Sequence, residues 1–175
     1  MNRVKQMIAE ADMVLLGFGD EFTIRKAKKE KVIEAYNRVA ALIAGKPWFA
    51  ITVNTDDLIY ESDLNRFFIV APCGSEKEKN VVTMENYDES GYLPQWQFYM
   101  NWLTSTIGKK LCVLELGVGL SYPSVIRMPF EKTVQFNHQA SLIRVHSKLA
   151  QVSPEIAERS YCLDMEPIAF LEKNF

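Results

Sequence analysis

Short apolar runs alternate along the chain with longer stretches in which apolar residues recur every three or four positions. The runs at residues 11–17, 49–53, 67–70, 111–116 and 142–145 are short and predominantly apolar. This pattern is typical of strands that are buried on both faces of a parallel sheet. The sequence therefore predicts strands at these five places.

Helical periodicity fills much of the sequence between these runs. It predicts helices from Glu21 to about residue 44, over residues 94–107, from a Ser-Pro-Glu start at Ser153, and from about Glu166 onward. Residues 74–91 are polar and turn-rich and are predicted to form a loop or a small hairpin. Strands separated by helices predict an α/β fold, a Rossmann-like parallel sheet with helices on both faces.

The composition is that of one globular domain spanning residues 1–175, with 48% hydrophobic and 24% charged residues. A formal net charge of -2 gives no electrostatic reason to expect nucleic acid or an anionic membrane as a partner. The apolar runs are too short to cross a bilayer, and the first residues lack the apolar stretch of a secretory signal. A cytoplasmic location is therefore expected.

Residue types that bind transition metals are sparse. Cys73, Cys112 and Cys162 are widely spaced with no C-x-x-C pair, and His138 and His146 are the only histidines. No standard structural zinc spacing can be assembled from this set, so neither a metal site nor zinc is expected. Cys112 and Cys162 lie in strand-like runs and are expected to be buried, inert thiols.

A candidate ligand site follows from the predicted sheet. In open parallel sheets, ligands bind beyond the carboxyl ends of the strands. The turns expected at that edge are residues 17–21, 54–57, 73–75 and 117–121, where glycines and polar residues concentrate.

The first of these turns has half of a dinucleotide fingerprint. Gly17-x-Gly19 follows a strand, and glycines there allow backbone N–H groups to approach a pyrophosphate. Phe18 adds bulk, however, and Asp20 and Glu21 bring carboxylates to the position of a diphosphate. The alternative is a simple strand-to-helix turn with acidic capping.

Two further turns carry candidate ligand contacts. Thr52 ends a predicted strand that runs into Asn54 and Asp56, and either these polar residues contact a ligand or they cap turns. Gly117 and Gly119 form a second glycine turn, which either cradles a phosphate or ribose or simply ends a strand.

Cys73 and Arg127 complete the candidates that the residues alone suggest. Cys73 lies at a strand end on the ligand edge, but a reactive thiolate needs a base or a positive field, and none is adjacent in sequence. It is either a functional thiol or a partly buried bystander. Arg127 either meets an anion or covers the surface.

Several segments together resemble the SIR2 (sirtuin) family, especially its compact bacterial members. Residues 52–56 (TVNTD) resemble the T-x-N-x-D motif, and residues 73–75 fall where the family carries a catalytic H-G pair. Residues 116–123 resemble its second glycine-rich segment, and residues 142–146 its strand ending in I-N. The most specific part is residues 96–130, centred on KKLCVLELGVG.

The resemblance implies an NAD-binding sheet, and sirtuins use NAD to deacylate lysine or, in some members, to transfer ADP-ribose. Asn54 and Asp56 would lie near the nicotinamide and its ribose, and Cys73 at the position of the general base. The implied cofactor contacts are Gly17, Gly19, Thr52, Asn54, Asp56, Gly117, Gly119, Ser121 and His146.

The departures from the family pattern are concentrated in its catalytic equipment. Residues 17–21 (GFGDE) replace G-A-G-x-S, and a single predicted helix leaves no room for the long cofactor-binding loop. Cys73 replaces the general-base histidine, and His146 replaces the asparagine of I-N. The four zinc cysteines are absent, so the zinc module is lost or replaced by residues 76–91.

These departures predict a sirtuin-like domain that lacks deacylase activity and retains at most weak NAD or ADP-ribose binding. It would act through binding a small nucleotide ligand, or through assembly with a protein partner or a second copy. One alternative is a divergent NAD-consuming enzyme, either a weak deacylase or an ADP-ribosyl transferase. The other is a structural or oligomerising homologue with an apolar interface around residues 92–102.

Overall fold

The computed structural model describes residues 2–83 and 85–175, which form a six-stranded parallel sheet. The strands are β1 (Met13–Phe18), β2 (Trp48–Thr52), β3 (Ile69–Val70), β4 (Leu111–Leu116), β5 (Ser141–Val145) and β6 (Ser160–Leu163). Their order is β3-β2-β1-β4-β5-β6, with every neighbouring pair parallel. The predicted Rossmann-like fold is confirmed, and the chain reverses its direction across the sheet between β1 and β4.

Helices cover both faces of the sheet. They are α1 (Arg3–Glu10), α2 (Lys29–Leu42), α3 (Leu93–Ser105), α4 (Arg127–Phe136) and α5 (Pro167–Asn174). The buried side chains of α1, α2 and α5 pack on one face, and those of α3 and α4 on the other. Within the described residues, none of the helices has the length and apolar character needed to cross a membrane.

Helix α2 begins at Lys29 rather than directly after Glu21. The intervening residues form turns that bury Phe22 beside the ring of Phe18 at 5.1 Å and that of Tyr36 at 4.6 Å between centroids. A helix starting at Glu21 would carry Phe22 away from this aromatic cluster. The connection from β1 is therefore a short loop followed by a helix.

Helices α1 and α4 and strand β6 are not among the elements predicted from the sequence. Helices α1 and α4 are both short. For the region of α4 the sequence predicts only a connecting segment. The buried residues Ile126, Phe130 and Val134 nevertheless recur there at helical spacing. The predicted helix at Ser153 is a 3-10 turn over Pro154–Arg159 that leads into β6. Strand β6 lies at the edge of the sheet and is half-exposed, so it lacks a continuous apolar signal.

Gly17 lies inside β1 rather than in the turn that follows it. A Cβ atom at this position would come within 2.7 Å of Ile126 Cγ2 and 2.8 Å of Phe130 Cε2. Glycine here therefore lets the start of α4 pack directly on the strand. This places α4 immediately behind the loop that follows β4.

A buried ion pair joins β4 to β5. Glu115 and Arg144 are opposite each other in the register, both fully buried, and the guanidinium forms hydrogen bonds of 2.6 and 3.0 Å to the two carboxylate oxygens. Arg144 Nη1 also donates to Glu131 Oε1 at 2.6 Å and to the Gln151 carbonyl at 2.7 Å. These bonds compensate two charges that have no access to water.

Replacing Glu115 with Gln leaves the Arg144 charge buried with one fewer balancing carboxylate. We expect Glu115→Gln to lower the free energy of unfolding by about 3–5 kcal/mol in urea denaturation. The matched control is Glu131→Gln, which removes a partner that is 24% exposed and should cost less than about 1 kcal/mol. Equal losses in the two variants would contradict this account.

Candidate functional site

The loops that follow β1 and β4 are in direct main-chain contact. The Gly19 N–H donates to the Leu116 carbonyl at 3.0 Å, and the Glu21 N–H donates to the Gly117 carbonyl at 3.2 Å. A Cβ atom at Gly19 would lie 2.2 Å from the Gly117 oxygen and 2.4 Å from Val118 Cα. Both turns are therefore packed against each other, with no space between them for a bound group.

The carboxylate of Asp20 occupies donors of the second glycine turn. The Gly119 N–H donates to Asp20 Oδ1 at 3.2 Å, and the Ser121 hydroxyl donates to Asp20 Oδ2 at 3.1 Å. A backbone N–H and a hydroxyl in a glycine turn are the groups that bind phosphate oxygens in folds of this kind. Here the chain supplies its own anion to them.

Glu21 forms a second, deeper contact of the same type. Its buried carboxylate accepts hydrogen bonds from the Ser147 N–H at 2.9 Å and from the Ser147 hydroxyl. A Cβ atom at Gly117, whose φ is +68°, would lie 2.7 Å from Glu21 Cβ. Glycine at this position thus permits the close approach of Glu21 to the β4 loop.

His146 lies beside Glu21 rather than on an open surface. It is 5% exposed, and its Nδ1 accepts hydrogen bonds from the Lys148 and Leu149 N–H groups, each at 3.1 Å. Burial lowers the pKa of His146, although Glu21 Oε2 lies 3.5 Å from Nδ1 and acts in the opposite direction. The ring is therefore neutral at physiological pH and holds the loop after β5.

Arg127 is buried against the main chain, so the alternative in which it covers the surface is wrong. It is 8% exposed and donates to the Val118 carbonyl at 3.1 Å and to the Gln151 carbonyl at 3.0 Å. The guanidinium thus ties the β4 loop to the segment that follows β5. It does not cover the surface, and its hydrogen bonds are to the protein main chain.

An open cleft of about 430 Å³ lies beside the closed glycine turns. It brings together four of the residues singled out from the sequence, namely Asn54, Asp56, Cys73 and Ser121. Asp20 and Glu76 also line it, and neither stands among the cofactor contacts implied by sequence. The remaining candidates lie outside its lining: Gly17, Gly19, Thr52, Gly117, Gly119 and His146.

Asn54 is fixed by the end of β2 and by the loop after β1. Its Nδ2 donates to the Phe22 carbonyl at 2.8 Å, and its backbone N–H donates to the buried Thr52 hydroxyl at 3.0 Å. Thr52 therefore acts as a support for Asn54 and not as a cleft residue. The Asn54 amide has a defined orientation at the cleft wall.

Asp56 is held by main-chain donors on both sides. Its Oδ1 accepts from the Leu58 N–H at 3.2 Å and its Oδ2 from the Ile24 N–H at 3.4 Å. Burial raises the pKa of Asp56, and the nearby carboxylates of Glu76 and Asp57 raise it further. Burial is the largest cause of this shift, and the two carboxylates add to it.

The cleft carries an excess of negative charge. Asp20, Asp56 and Glu76 line it, and in the described part of the chain no Lys or Arg nitrogen lies within 4.0 Å of their carboxylates. Glu76 accepts a hydrogen bond from the Thr55 hydroxyl at 2.8 Å, and Arg25 at the cleft is exposed. Residues 2–83 and 85–175 contain no group of three or more His, Cys, Asp or Glu arranged to hold a metal ion.

Cys73 follows β3 and contributes its thiol to the cleft wall. It is 8% exposed, and burial raises its pKa to about 11. A thiol with this pKa is protonated at neutral pH, so it can serve neither as a ready nucleophile nor as a base. Cys112 is fully buried as expected, whereas Cys162 is exposed because it lies on the edge strand β6.

A second cleft of about 420 Å³ lies between residues 74–91 and the β3 edge of the sheet. Asp57 lines it in a left-handed conformation, with a φ of +62°. Its carboxylate accepts from the Ser75 hydroxyl at 2.6 Å and from the Lys77 N–H at 3.2 Å. These bonds anchor residues 75–77 to the loop that follows β2.

The raised pKa of Cys73 gives a measurable pH dependence. We expect iodoacetamide to label Cys162 faster than Cys73 at about pH 8, because Cys162 is exposed whereas Cys73 is buried with a pKa of about 11, and only the thiolate is a nucleophile. Partial burial also raises the pKa of Cys162, so its own rate should still increase above about pH 8. Between about pH 8 and pH 10, the rate at Cys73 should rise about tenfold per pH unit, whereas a free thiol levels off near its own pKa. Peptide mapping by mass spectrometry measures both sites, and rapid labelling of Cys73 at about pH 7 would contradict the burial.

The contact between the glycine turns predicts a large difference between two glycine substitutions. Gly19→Ala places a Cβ against main-chain atoms and should lower the free energy of unfolding by about 3 kcal/mol. At Gly91 the nearest atom to a Cβ is Asn80 Nδ2 at 3.4 Å, so Gly91→Ala should change stability by less than about 0.5 kcal/mol. Urea denaturation compares the two, and an equally mild Gly19→Ala would disprove the close packing.

Sequence comparison finds no match for this chain among protein-family models or among curated proteins. Solved structures of Sir2 proteins do match it in three dimensions. A Sir2 complex with a p53 peptide and NAD+ superposes with a TM-score of 0.64 at 14% identity, over 99% of this chain and 96% of that chain. A Sir2 complex with the inhibitor EX-527, 2'-O-acetyl-ADP-ribose and a deacetylated p53 peptide gives 0.62 at 15% identity, with the same coverage. Sir2Tm bound to a propionylated peptide gives 0.62 at 14% identity. These likenesses show that the chain has the fold of the Sir2 structures.

Proposed function

We propose that this chain is a sirtuin-fold domain that has lost deacylation and acts by binding a small ligand in the 430 Å³ cleft. NAD and ADP-ribose would bind at most weakly. The observation that carries the proposal is the occupation of the donors of the second glycine turn, the Gly119 N–H and the Ser121 hydroxyl, by the Asp20 carboxylate. The Sir2 complexes with NAD+ and acetyl-ADP-ribose motivate the choice of ligands to test.

The diphosphate of NAD does not fit the closed turns. The loops after β1 and β4 touch through Gly19 and Gly117, and the donors on Gly119 and Ser121 are already satisfied. A diphosphate placed there would also face the Asp20 carboxylate at close range. Like charges at such distances in a partly buried site repel by several kcal/mol.

The cleft has a thiol, and no histidine, at the position where the resemblance places the general base. Its thiol, Cys73, has a pKa of about 11 and remains protonated. His146 is buried beside Glu21, and His138 is exposed on the surface, so neither histidine lines the cleft. Because a positioned general base contributes about 10²–10⁴-fold to such reactions, a deacylase whose histidine base is replaced by a protonated thiol would be severely impaired.

Binding remains compatible with the geometry. A volume of about 430 Å³ is within the range of small-molecule sites, and the cleft lies beyond the carboxyl ends of the strands, where ligands bind in this class of sheet. Asn54 is held by fixed hydrogen bonds, so it needs no ordering when a ligand arrives. The cleft therefore has the preorganisation expected of a binding site.

The proposal is tested by assaying turnover and binding on the same preparation. With NAD and an acyl-lysine peptide, we expect no nicotinamide release above a protein-free control. In thermal-shift titrations, NAD and ADP-ribose at millimolar concentration should raise the Tm by no more than about 1–2 °C, as for a Kd near the ligand concentration.

Two outcomes would replace this proposal. Nicotinamide release that disappears in both Asn54→Ala and Cys73→Ala would establish a divergent NAD-consuming enzyme. Absence of any ligand effect, together with a dimeric mass by light scattering that Phe98→Ser reduces, would favour assembly. That second candidate rests on the exposed apolar side chains of α3, where Phe98 is 50% exposed and contacts the equally exposed Phe67.

A further inference from the structure

We infer that Asp20 determines the ligand specificity of the cleft, by excluding phosphate groups and so selecting phosphate-free ligands of nucleoside size. The inference rests on the proposed binding function and deepens it by naming the class of ligand. In folds of this kind a bound diphosphate ordinarily accepts the hydrogen bonds of the glycine turn, whereas here the Asp20 carboxylate accepts them.

Asp20 is suited to this role because it belongs to both the closed turns and the open cleft. It lines the cleft together with Ser121, and it holds the hydroxyl of that serine and the N–H of Gly119. A phosphate could reach these donors only by displacing the carboxylate. The displaced Asp20 carboxylate would then lose its hydrogen bonds and would also lie beside the incoming anion. Both effects make the exchange unfavourable.

Glu21 does not share this role, although it is also an acid in the same turn. Its carboxylate is 8% exposed, bonds to Ser147 and lies outside the lining of the cleft. It therefore fixes the loops after β1 and β5 against each other. Asp20 is the acid that a ligand in the cleft would meet.

The rest of the cleft favours the same class of ligand. Asp56 and Glu76 add two carboxylates that have no Lys or Arg partner within 4.0 Å in the described residues. The exposed Arg25 also lines the cleft, but the three carboxylates of Asp20, Asp56 and Glu76 outnumber it. A neutral or positively charged ligand therefore gains from the net negative field, whereas a phosphate is repelled. A cationic nucleoside should therefore bind more tightly than an uncharged one of the same size.

Matched pairs that differ only by a phosphate isolate the effect. Nicotinamide riboside against nicotinamide mononucleotide, and adenosine against AMP, would be titrated by calorimetry at low ionic strength. For the unmodified protein we expect each nucleoside to bind at least about tenfold more tightly than its phosphate. Nicotinamide riboside, the one ligand of the four with a net positive charge, should bind most tightly.

Asp20→Asn tests the residue itself. The amide oxygen can still accept from Gly119, so the turn is preserved while the charge is removed, and thermal melting checks that the variant is folded. The phosphate penalty, measured as the ratio of the two Kd values in each pair, should fall about tenfold. The matched control is Glu76→Gln, which removes a charge from the same cleft but holds no donor of the glycine turn, and should change the ratio by less than about threefold.

The outcomes separate this inference from the proposed function. Equal binding of nucleosides and their phosphates by the unmodified protein, or equal effects of Asp20→Asn and Glu76→Gln, would overturn the role of Asp20 while leaving a binding domain. No binding of any of the four ligands by the unmodified protein and both variants would overturn the inference and the binding function together.

Discussion

The contact between the loops after β1 and β4 is the constraint on which the candidate site depends. In a sheet of this order, the two central strands end side by side, and their loops usually part to admit a ligand. Here Gly19 and Gly117 let the main chains meet, the Asp20 carboxylate accepts from the Gly119 N–H of the β4 loop, and the Glu21 carboxylate accepts from Ser147 in the loop after β5. The contact between the loops and the acidic residues are therefore linked. The carboxylates accept hydrogen bonds from N–H and hydroxyl groups that the closed loops would otherwise leave unsatisfied.

The sequence predicts the central part of the fold well for a physical reason. Strands β1, β2 and β4 are buried on both faces, so their sequences are nearly continuous apolar runs. Strand β6 is half-exposed at the edge of the sheet and lacks such a run. The late start of α2 depends on the burial of Phe22 between the rings of Phe18 on β1 and Tyr36 on α2, a tertiary contact that helical periodicity does not express.

Part of the candidate site could likewise be predicted from the sequence, and part could not. The sequence places Asn54, Asp56 and Cys73 at the ligand edge, because all three directly follow apolar strands, and the structure brings them into one cleft. It also identifies Asp20 and Glu21 as unusual in a glycine turn. Their partners could not be predicted, since Glu21 and Ser147 are 126 residues apart and meet only through the sheet. His146 shows the opposite outcome, because it also follows a strand but is buried and does not line the cleft.

The buried pair of Glu115 and Arg144 has a consequence for how β4 and β5 find their alignment. Apart from this pair and Ser141 at the start of β5, both strands are apolar, and apolar runs carry little information about which residues should pair across the two strands. A slip of one residue would turn one member of the pair to the opposite face of the sheet and leave an uncompensated charge in the interior. The ion pair therefore acts as a register mark for β5, and through β5 it sets the position at which Ser147 emerges to meet Glu21.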